Sequence, residues 1–145
     1  MISTYDMQKV LYADCRGIDF SPVIPEAEYM DGVVPIYHGF NVPKGAVEAP
    51  RITIHIKESV NGTVWTKRYV EINLSVPDLD EDIADMHLLG QVEQIMLLHF
   101  KTPRTGELDS GSYEYSLDSY SQEQDTQLKC HFVHIRLLFQ ILNTL

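Results

Sequence analysis

The chain has 145 residues, the usual size of one domain, and with 44% hydrophobic and 22% charged residues its composition is that of a globular protein. Its formal net charge is −10, from 11 Lys and Arg against 21 Asp and Glu. Affinity for a phosphate backbone depends on clustered basic residues, so specific nucleic-acid binding is not expected. No apolar run approaches the roughly 20 residues of a membrane-spanning helix, so we expect no membrane association.

A short helix and a long irregular region are predicted first along the chain. After Ser3, a suitable N-cap, apolar residues recur at helical spacing: Met7, Val10 and Leu11. Gly17 ends this pattern, which predicts a helix from about Thr4 to Cys15. Residues 18–50 are rich in proline and glycine, which limits that region to short extended pieces such as Val33–Tyr37.

A long antiparallel hairpin is predicted over about residues 51–76. From Arg51 to Lys57 apolar and polar residues alternate, which is typical of a half-buried strand. Asn61-Gly62 favours a tight hairpin turn, and a second alternating strand follows from Val64 to Val76. The sequence therefore predicts an α+β domain over residues 1–145, with a mostly antiparallel sheet packed by the first helix and by a second, central one.

The central amphipathic helix is predicted over about Asp80–Lys101. Carboxylates between Asp78 and Asp85 match the negative charge that the first turn of a helix favours. The predicted helix has a wide apolar stripe, formed by Met86, Leu88, Leu89, Val92, Ile95, Met96 and Phe100.

Two segments with different patterns follow this helix. Leu108–Gln127 is rich in Ser, Asp, Gly and Tyr, and is predicted to be an edge strand with a loop or a mobile excursion. Lys129–Leu142 alternates as a long strand, which we place in the centre of the sheet, and a helical C-terminus is the alternative.

The residue types that carry chemistry do not form a recognisable site. His131 and His134 are three residues apart on a predicted strand, so they lie on opposite faces. Cys15 and Cys130 lack CxxC spacing and are predicted to be buried thiols. The sequence has no nucleophile elbow, calcium loop or phosphate loop. We therefore expect no catalytic residues, no metal and no cofactor.

Aromatic residues on the hairpin and in the polar segment are the candidate interface residues: Trp65, Tyr69, Tyr113, Tyr115 and Tyr120. Aromatic side chains on the outer face of a sheet or on a loop are typical of protein interfaces. Core or cross-strand packing is the alternative interpretation for each of them.

The segment Asn41–Ile54 resembles the part of phage tail completion (tail terminator) proteins in which a "vP-x-ga-x-x-P" stretch leads into the first long strand. The order of predicted elements resembles that family over most of the chain. The long region between Gly17 and Pro50 departs from it, and this region and Leu108–Gln127 would be the excursions that reach neighbouring subunits.

This resemblance implies a structural protein rather than an enzyme. It implies a homo-oligomeric ring, with a hexamer as one expected form, that caps the head-proximal end of the tail tube and stops its polymerisation. The implied partners are tail-tube and head–tail connector proteins, in the virion tail or in the host cytoplasm before assembly. The alternative is a non-catalytic cytoplasmic binding or interaction domain whose tyrosines line a pocket or a partner groove.

Overall fold

The computed structural model describes residues 2–24, 33–39, 42, 49–62, 64–80 and 82–142. Within these ranges the chain forms two helices and six strands, in the following order: α1 (Thr4–Arg16), β1 (Ile36–His38), β2 (Arg51–Asn61), β3 (Trp65–Pro77), α2 (Met86–Phe100), β4 (Arg104–Leu108), β5 (Gly111–Asp125) and β6 (Cys130–Leu142). The prediction of an α+β fold made mostly of strands is confirmed.

The six strands form one mixed sheet in the order β1-β2-β3-β6-β5-β4. β1 runs parallel to β2, and every other neighbouring pair is antiparallel. β6 lies between β3 and β5, as expected for a central strand, and the helical alternative for the C-terminal segment is wrong. β2 and β3 pair from Arg51↔Ser75 to Asn61↔Thr66.

Buried side chains alternate with less buried ones along the two central strands, β3 and β6, and this alternation defines two faces of the sheet. Val70, Ile72 and Leu74 of β3 are fully buried, together with their counterparts Val133, Ile135 and Leu137 of β6. Both helices pack on this helix-covered face, and the buried side chains that they contribute belong to the same core: Met7, Leu11 and Cys15 from α1, and Leu89, Val92, Met96 and Phe100 from α2. Neither helix covers the opposite face, which we call the open face.

α1 begins as predicted and ends one residue later. Ser3 caps it, because its hydroxyl accepts a hydrogen bond from the Asp6 amide while the Asp6 carboxylate accepts one from the Ser3 amide. Of the predicted extended piece Val33–Tyr37, the last two residues begin β1. Half of the segment Asn41–Ile54 that carries the tail-terminator resemblance lies outside the described residues.

α2 begins at Met86, so the predicted start at Asp80 is wrong. Asp80 and Ile83 form an isolated bridge, and Asp82 has a φ of 62°, which a helix cannot contain. Of the carboxylates before the helix, Asp85 is the N-cap and accepts a hydrogen bond from the Leu88 amide. The predicted apolar stripe is also too wide, because Met86 is exposed.

The segment Leu108–Gln127 contains the end of β4, a turn and the long strand β5, so the predicted strand is present and the alternative of a mobile excursion is wrong. β5 pairs with β6 from Tyr113↔Ile141 to Asp125↔Cys130. The polar composition of β5 gives only a weak strand pattern, because this strand is held by the ladder with β6 rather than by burial of its own side chains.

The two faces of β6 provide a test of this packing. Leu137 is fully buried beneath the helices, whereas its neighbour Leu138 is half-buried on the open face. We expect Leu137→Ala to lower the free energy of unfolding by about 3 kcal/mol and Leu138→Ala by about 1 kcal/mol. Urea denaturation of both variants would measure this difference, and equal losses would contradict the assignment of the two faces.

Candidate functional site

Polar side chains from both helices and from the β4–β5 end of the sheet meet around Asp14, whose side chain is 9% exposed. The His99 Nε2 atom lies 2.6 Å from Asp14 Oδ1, and the Tyr115 hydroxyl donates to Asp14 Oδ2. Arg104 Nε lies 3.4 Å from the same Oδ2 atom. An ionised carboxylate can only accept hydrogen bonds, so His99 donates through Nε2. The cluster therefore ties α1 and α2 to β4 and β5.

The charges of this cluster favour one protonation state. Burial opposes ionisation of Asp14, but the hydrogen bonds from His99 and Tyr115 and the charge of Arg104 outweigh it and hold its pKa below the ordinary value. Burial, together with the bond to Asp14, raises the pKa of Tyr115 far above its usual range. Asp14 is therefore ionised and Tyr115 is neutral at pH 7.

A shallow hollow of about 720 Å³ opens beside Asp14 on the helix-covered face. Its polar lining includes Asp6 and Lys9, which form an ion pair across one turn of α1 at 3.7 Å. Both oxygens of Asp14 are already occupied by donors of the same chain. This arrangement is typical of a structural contact between secondary-structure elements rather than of a substrate-binding site.

The histidines and cysteines lie apart, each in a local environment of its own. His131 Nδ1 is 2.7 Å from Asp78 Oδ1 on the helix-covered side, and His134 Nδ1 is 2.7 Å from Asn73 Oδ1 on the open face. Cys15 is a free, buried thiol, as is Cys130. Across the described ranges no three His, Cys, Asp or Glu side chains come together in a way that could hold a metal ion.

The open face is polar, and its charged side chains pair across the strands. Lys57 Nζ lies 3.4 Å from Glu71 Oε2. The Arg136 guanidinium lies 3.9 Å from the centre of the Tyr69 ring, and its Nε is 3.6 Å from Asp118 Oδ2. Such cross-strand pairs each contribute roughly 0.2–1 kcal/mol to a sheet. The face can remain without a helix because its polar groups have partners.

A second hollow, of about 390 Å³, lies at the β2 end of the open face. Arg51 lines it and is only 2% exposed, with its Nη2 atom 3.6 Å from Cys130 Sγ. Thr53, His55 and Asn73 also line this hollow. The carboxylates of Glu71 and Asp125 line the same hollow, so its lining carries both signs of charge.

The five candidate interface aromatics lie on both faces of the sheet and do not form one surface. Trp65 is 36% exposed, and Tyr69 lies under Arg136 on the open face. Tyr113 and Tyr115 lie on the helix-covered face and stack on Phe139, where Tyr115 is a core residue. Tyr120, on the same face, is 54% exposed beside α2.

The lateral edges of the sheet are each only half covered. β4 pairs with Gly111–Tyr115 of β5, and among the described residues no strand pairs with Ser116–Asp125 on that side. At the other edge β1 pairs with Ile52–Ile54, and no described strand pairs with the following part of β2.

Sequence reasoning did not single out Asp14, His99 or Arg104. His99 is 85 residues from Asp14 along the chain, and Tyr115 is 101 residues away. No local spacing reveals contacts of this range. The signal that could have been used is the position of Asp14, which is seven residues after Met7 and four after Val10 and therefore lies beside the apolar stripe of this short helix.

Comparisons with known proteins identify the fold and nothing more specific. No protein-family model matches the chain, and no curated protein matches it. One solved structure aligns over 95% of this chain and 96% of its own, with a TM-score of 0.52 and 14% sequence identity. Neither helix in the described ranges is long and apolar enough to cross a membrane.

The hydroxyl of Tyr115 should contribute measurably to stability. Tyr115→Phe removes a donor to a buried, ionised carboxylate, so we expect the free energy of unfolding to fall by about 2 kcal/mol. Tyr113→Phe is the matched control on the same strand and should change it by less than about 0.5 kcal/mol. Urea denaturation at pH 7 would measure both, and equal effects would contradict the role given to Tyr115.

Lowering the pH should remove the contribution of the ionised Asp14 side chain to the free energy of unfolding. Because its pKa in the folded chain lies below the ordinary value of 3.8, the stabilisation is complete above that value and is lost as the pH falls through the folded pKa. Asp14→Asn lacks this titration. The difference in unfolding free energy between wild type and Asp14→Asn should therefore shrink between pH 7 and about pH 3. Urea denaturation across this range is the measurement, and a constant difference would exclude the mechanism.

Proposed function

We propose that this chain is a structural, non-enzymatic assembly protein of a phage or prophage tail. In this proposal it forms a homo-oligomeric ring at the head-proximal end of the tail tube and ends tube polymerisation. Its partners are the tail-tube and head–tail connector proteins, and it is located in the virion tail or in the host cytoplasm before assembly.

The observation that carries the assembly part of the proposal is the distribution of exposed apolar side chains. At the β2–β3 end of the sheet Val60 is 62% exposed and Val64 is 56% exposed. At the β5 end Leu98 is 72% exposed beside Tyr120. Clustered exposed apolar side chains mark interaction sites. Two such sites on opposite sides of one chain suit contacts between identical copies, which close into rings when each copy uses both.

The sequence supplies the phage-tail part of the proposal. The proline-containing segment Asn41–Ile54 and the order of the elements resemble tail terminators. A net charge of −10 would keep DNA phosphates from adhering to a ring through which the genome passes.

A cytoplasmic, non-catalytic binding domain is the second candidate. The observation that favours it is the hollow beside Arg51 on the open face, which has the size of a small-molecule site. A protein that stays monomeric and whose loss leaves tails unchanged would support this candidate.

Disruption of the gene tests the tail proposal directly. Without a terminator, tube polymerisation has no stop, so we expect headless tails of unregulated length in electron micrographs of the induced phage or prophage. Complementation with the wild-type chain should restore uniform tails, and complementation with Leu137→Ala, which damages the core, should do so poorly. Tails of normal length in the disrupted strain would exclude the proposal.

A further inference from the structure

We infer that the edge of β5 accepts an extended segment of a partner protein as an added strand, and that this segment alternates apolar and basic side chains. Such a partner goes beyond the proposed ring and does not depend on it. The ring contact on this side uses exposed side chains, whereas the added strand pairs with the main chain of β5.

The edge of β5 beyond β4 is long enough for strand pairing. β4 pairs only with Gly111–Tyr115, and the register shift that follows Leu117 leaves Ser119–Asp125 as a regular stretch that no described strand joins on this side. The seven residues of this stretch span ~24 Å, and all but the last are exposed. Lys and Pro, two residues that commonly protect an edge from pairing, are absent from this stretch.

An apolar groove borders this edge on the helix-covered face. It measures about 430 Å³, and its apolar lining comes from Leu97 and Leu98 of α2 and from Leu117 and Tyr120 of β5. Leu98 is 72% exposed and Tyr120 is 54% exposed. Apolar side chains of an added strand would cover these surfaces and gain from burial there. Among the described residues that line the groove Lys101 alone is charged, which disfavours a basic side chain on this face.

The open face beside the same edge is acidic. Asp118 Oδ2 is 3.6 Å from Arg136 Nε, so its charge is partly matched within the chain. The Glu123 side chain is 51% exposed, and its Oε2 atom accepts a hydrogen bond from the Ser121 hydroxyl and lies 4.0 Å from His134 Nδ1. Since β5 has no Lys or Arg, a basic side chain of an added strand would be attracted to Glu123.

These two surfaces select one side-chain pattern, because side chains of a strand alternate between the two faces of a sheet. Apolar positions of the added segment would face the groove beside Leu98 and Tyr120, and basic positions would face Glu123. In recognition by strand addition, main-chain hydrogen bonds supply affinity and the side-chain sites supply specificity.

A second copy of β5 fits this edge poorly. Antiparallel pairing of the two stretches about a two-fold axis would bring together the carboxylates of Asp118, Glu123 and Asp125, with no Lys or Arg among them. Like charges that face each other across a strand pair are destabilising. The charge of the edge therefore favours a basic segment of a different protein.

A synthetic peptide tests the side-chain pattern. The probe is a fluorescent, end-capped peptide of about eight residues in which Val and Lys alternate, and fluorescence anisotropy measures its binding to the full chain. We expect saturable binding, and binding at least about tenfold weaker for two controls. One control has Glu in place of Lys, and the other has the same composition with Val and Lys in separate blocks. Equal binding of the block peptide would show non-specific charge attraction and overturn the proposal.

Backbone methylation of the same peptide tests main-chain pairing. The amides of alternate residues in a strand point to the same edge. N-methylation of one alternate set should therefore abolish binding, and N-methylation of the other set should weaken it by less than about threefold. The set that abolishes binding also reports the direction of the added strand. Equal effects of the two sets would exclude strand addition.

A pair of substitutions in the protein locates the apolar contact. Leu98→Ser removes an apolar side chain from the groove and should weaken binding of the alternating peptide about fivefold. Leu79→Ser is the matched control and should weaken it less than about twofold, because Leu79 is 68% exposed and lies between β3 and α2. Both side chains are exposed, so both variants should fold as the wild type does. Equal weakening would contradict the assigned groove.

A charge reversal locates the basic side of the segment. Glu123 lies on the regular stretch of β5, whereas Glu107 lies on β4, beside the other end of β5. Glu123→Lys should weaken peptide binding about tenfold, and Glu107→Lys, with the same charge change, less than about twofold. An equal loss in both variants would mean that the peptide responds only to net charge.

The results also distinguish the added strand from the proposed function. Peptide binding with the expected controls, together with normal tails in the disrupted strain, would keep the strand site and exclude the tail role. Absence of peptide binding, with self-association that Leu98→Ser weakens and Leu79→Ser does not, would assign the groove to a second copy, overturn the added strand and keep the ring. Absence of peptide binding to a monomeric chain would overturn the added strand, and the tail-length experiment would still decide the function.

Discussion

The uninterrupted antiparallel ladder between β3 and β6 is the constraint on which the rest of the structure depends. All 13 residues of β3 have a partner in β6, from Trp65↔Leu142 to Pro77↔Cys130. A shift of one residue in this register would turn every core side chain of one strand to the other face. Because both strands bury the same alternate positions, the register fixes which face the two helices cover and which face stays open.

The outer ladders are less regular, and this irregularity shapes the surfaces. The register shifts between Ile56 and Ser59 in β2 and between Leu117 and Ser119 in β5. In β5 this shift changes which residues face the helices, so Tyr120 rather than Ser119 lies beside α2. Gln122 follows on the same face, where its Nε2 atom donates to Glu93 of α2 at 2.9 Å. A bulge thus directs the aromatic side chain that borders the uncovered edge.

Strong alternation in β2, β3 and β6 made these strands predictable, because each strand buries one face and leaves the other polar. The predicted start of α2 was wrong because the acidic run before Met86 has the composition of a first helical turn but adopts a bridged turn instead. β5 was predicted only as one of two alternatives, because a strand held mainly by its neighbour needs few apolar residues of its own. The cluster around Asp14 and the two half-covered edges depend on pairings between distant residues, which no local pattern contains.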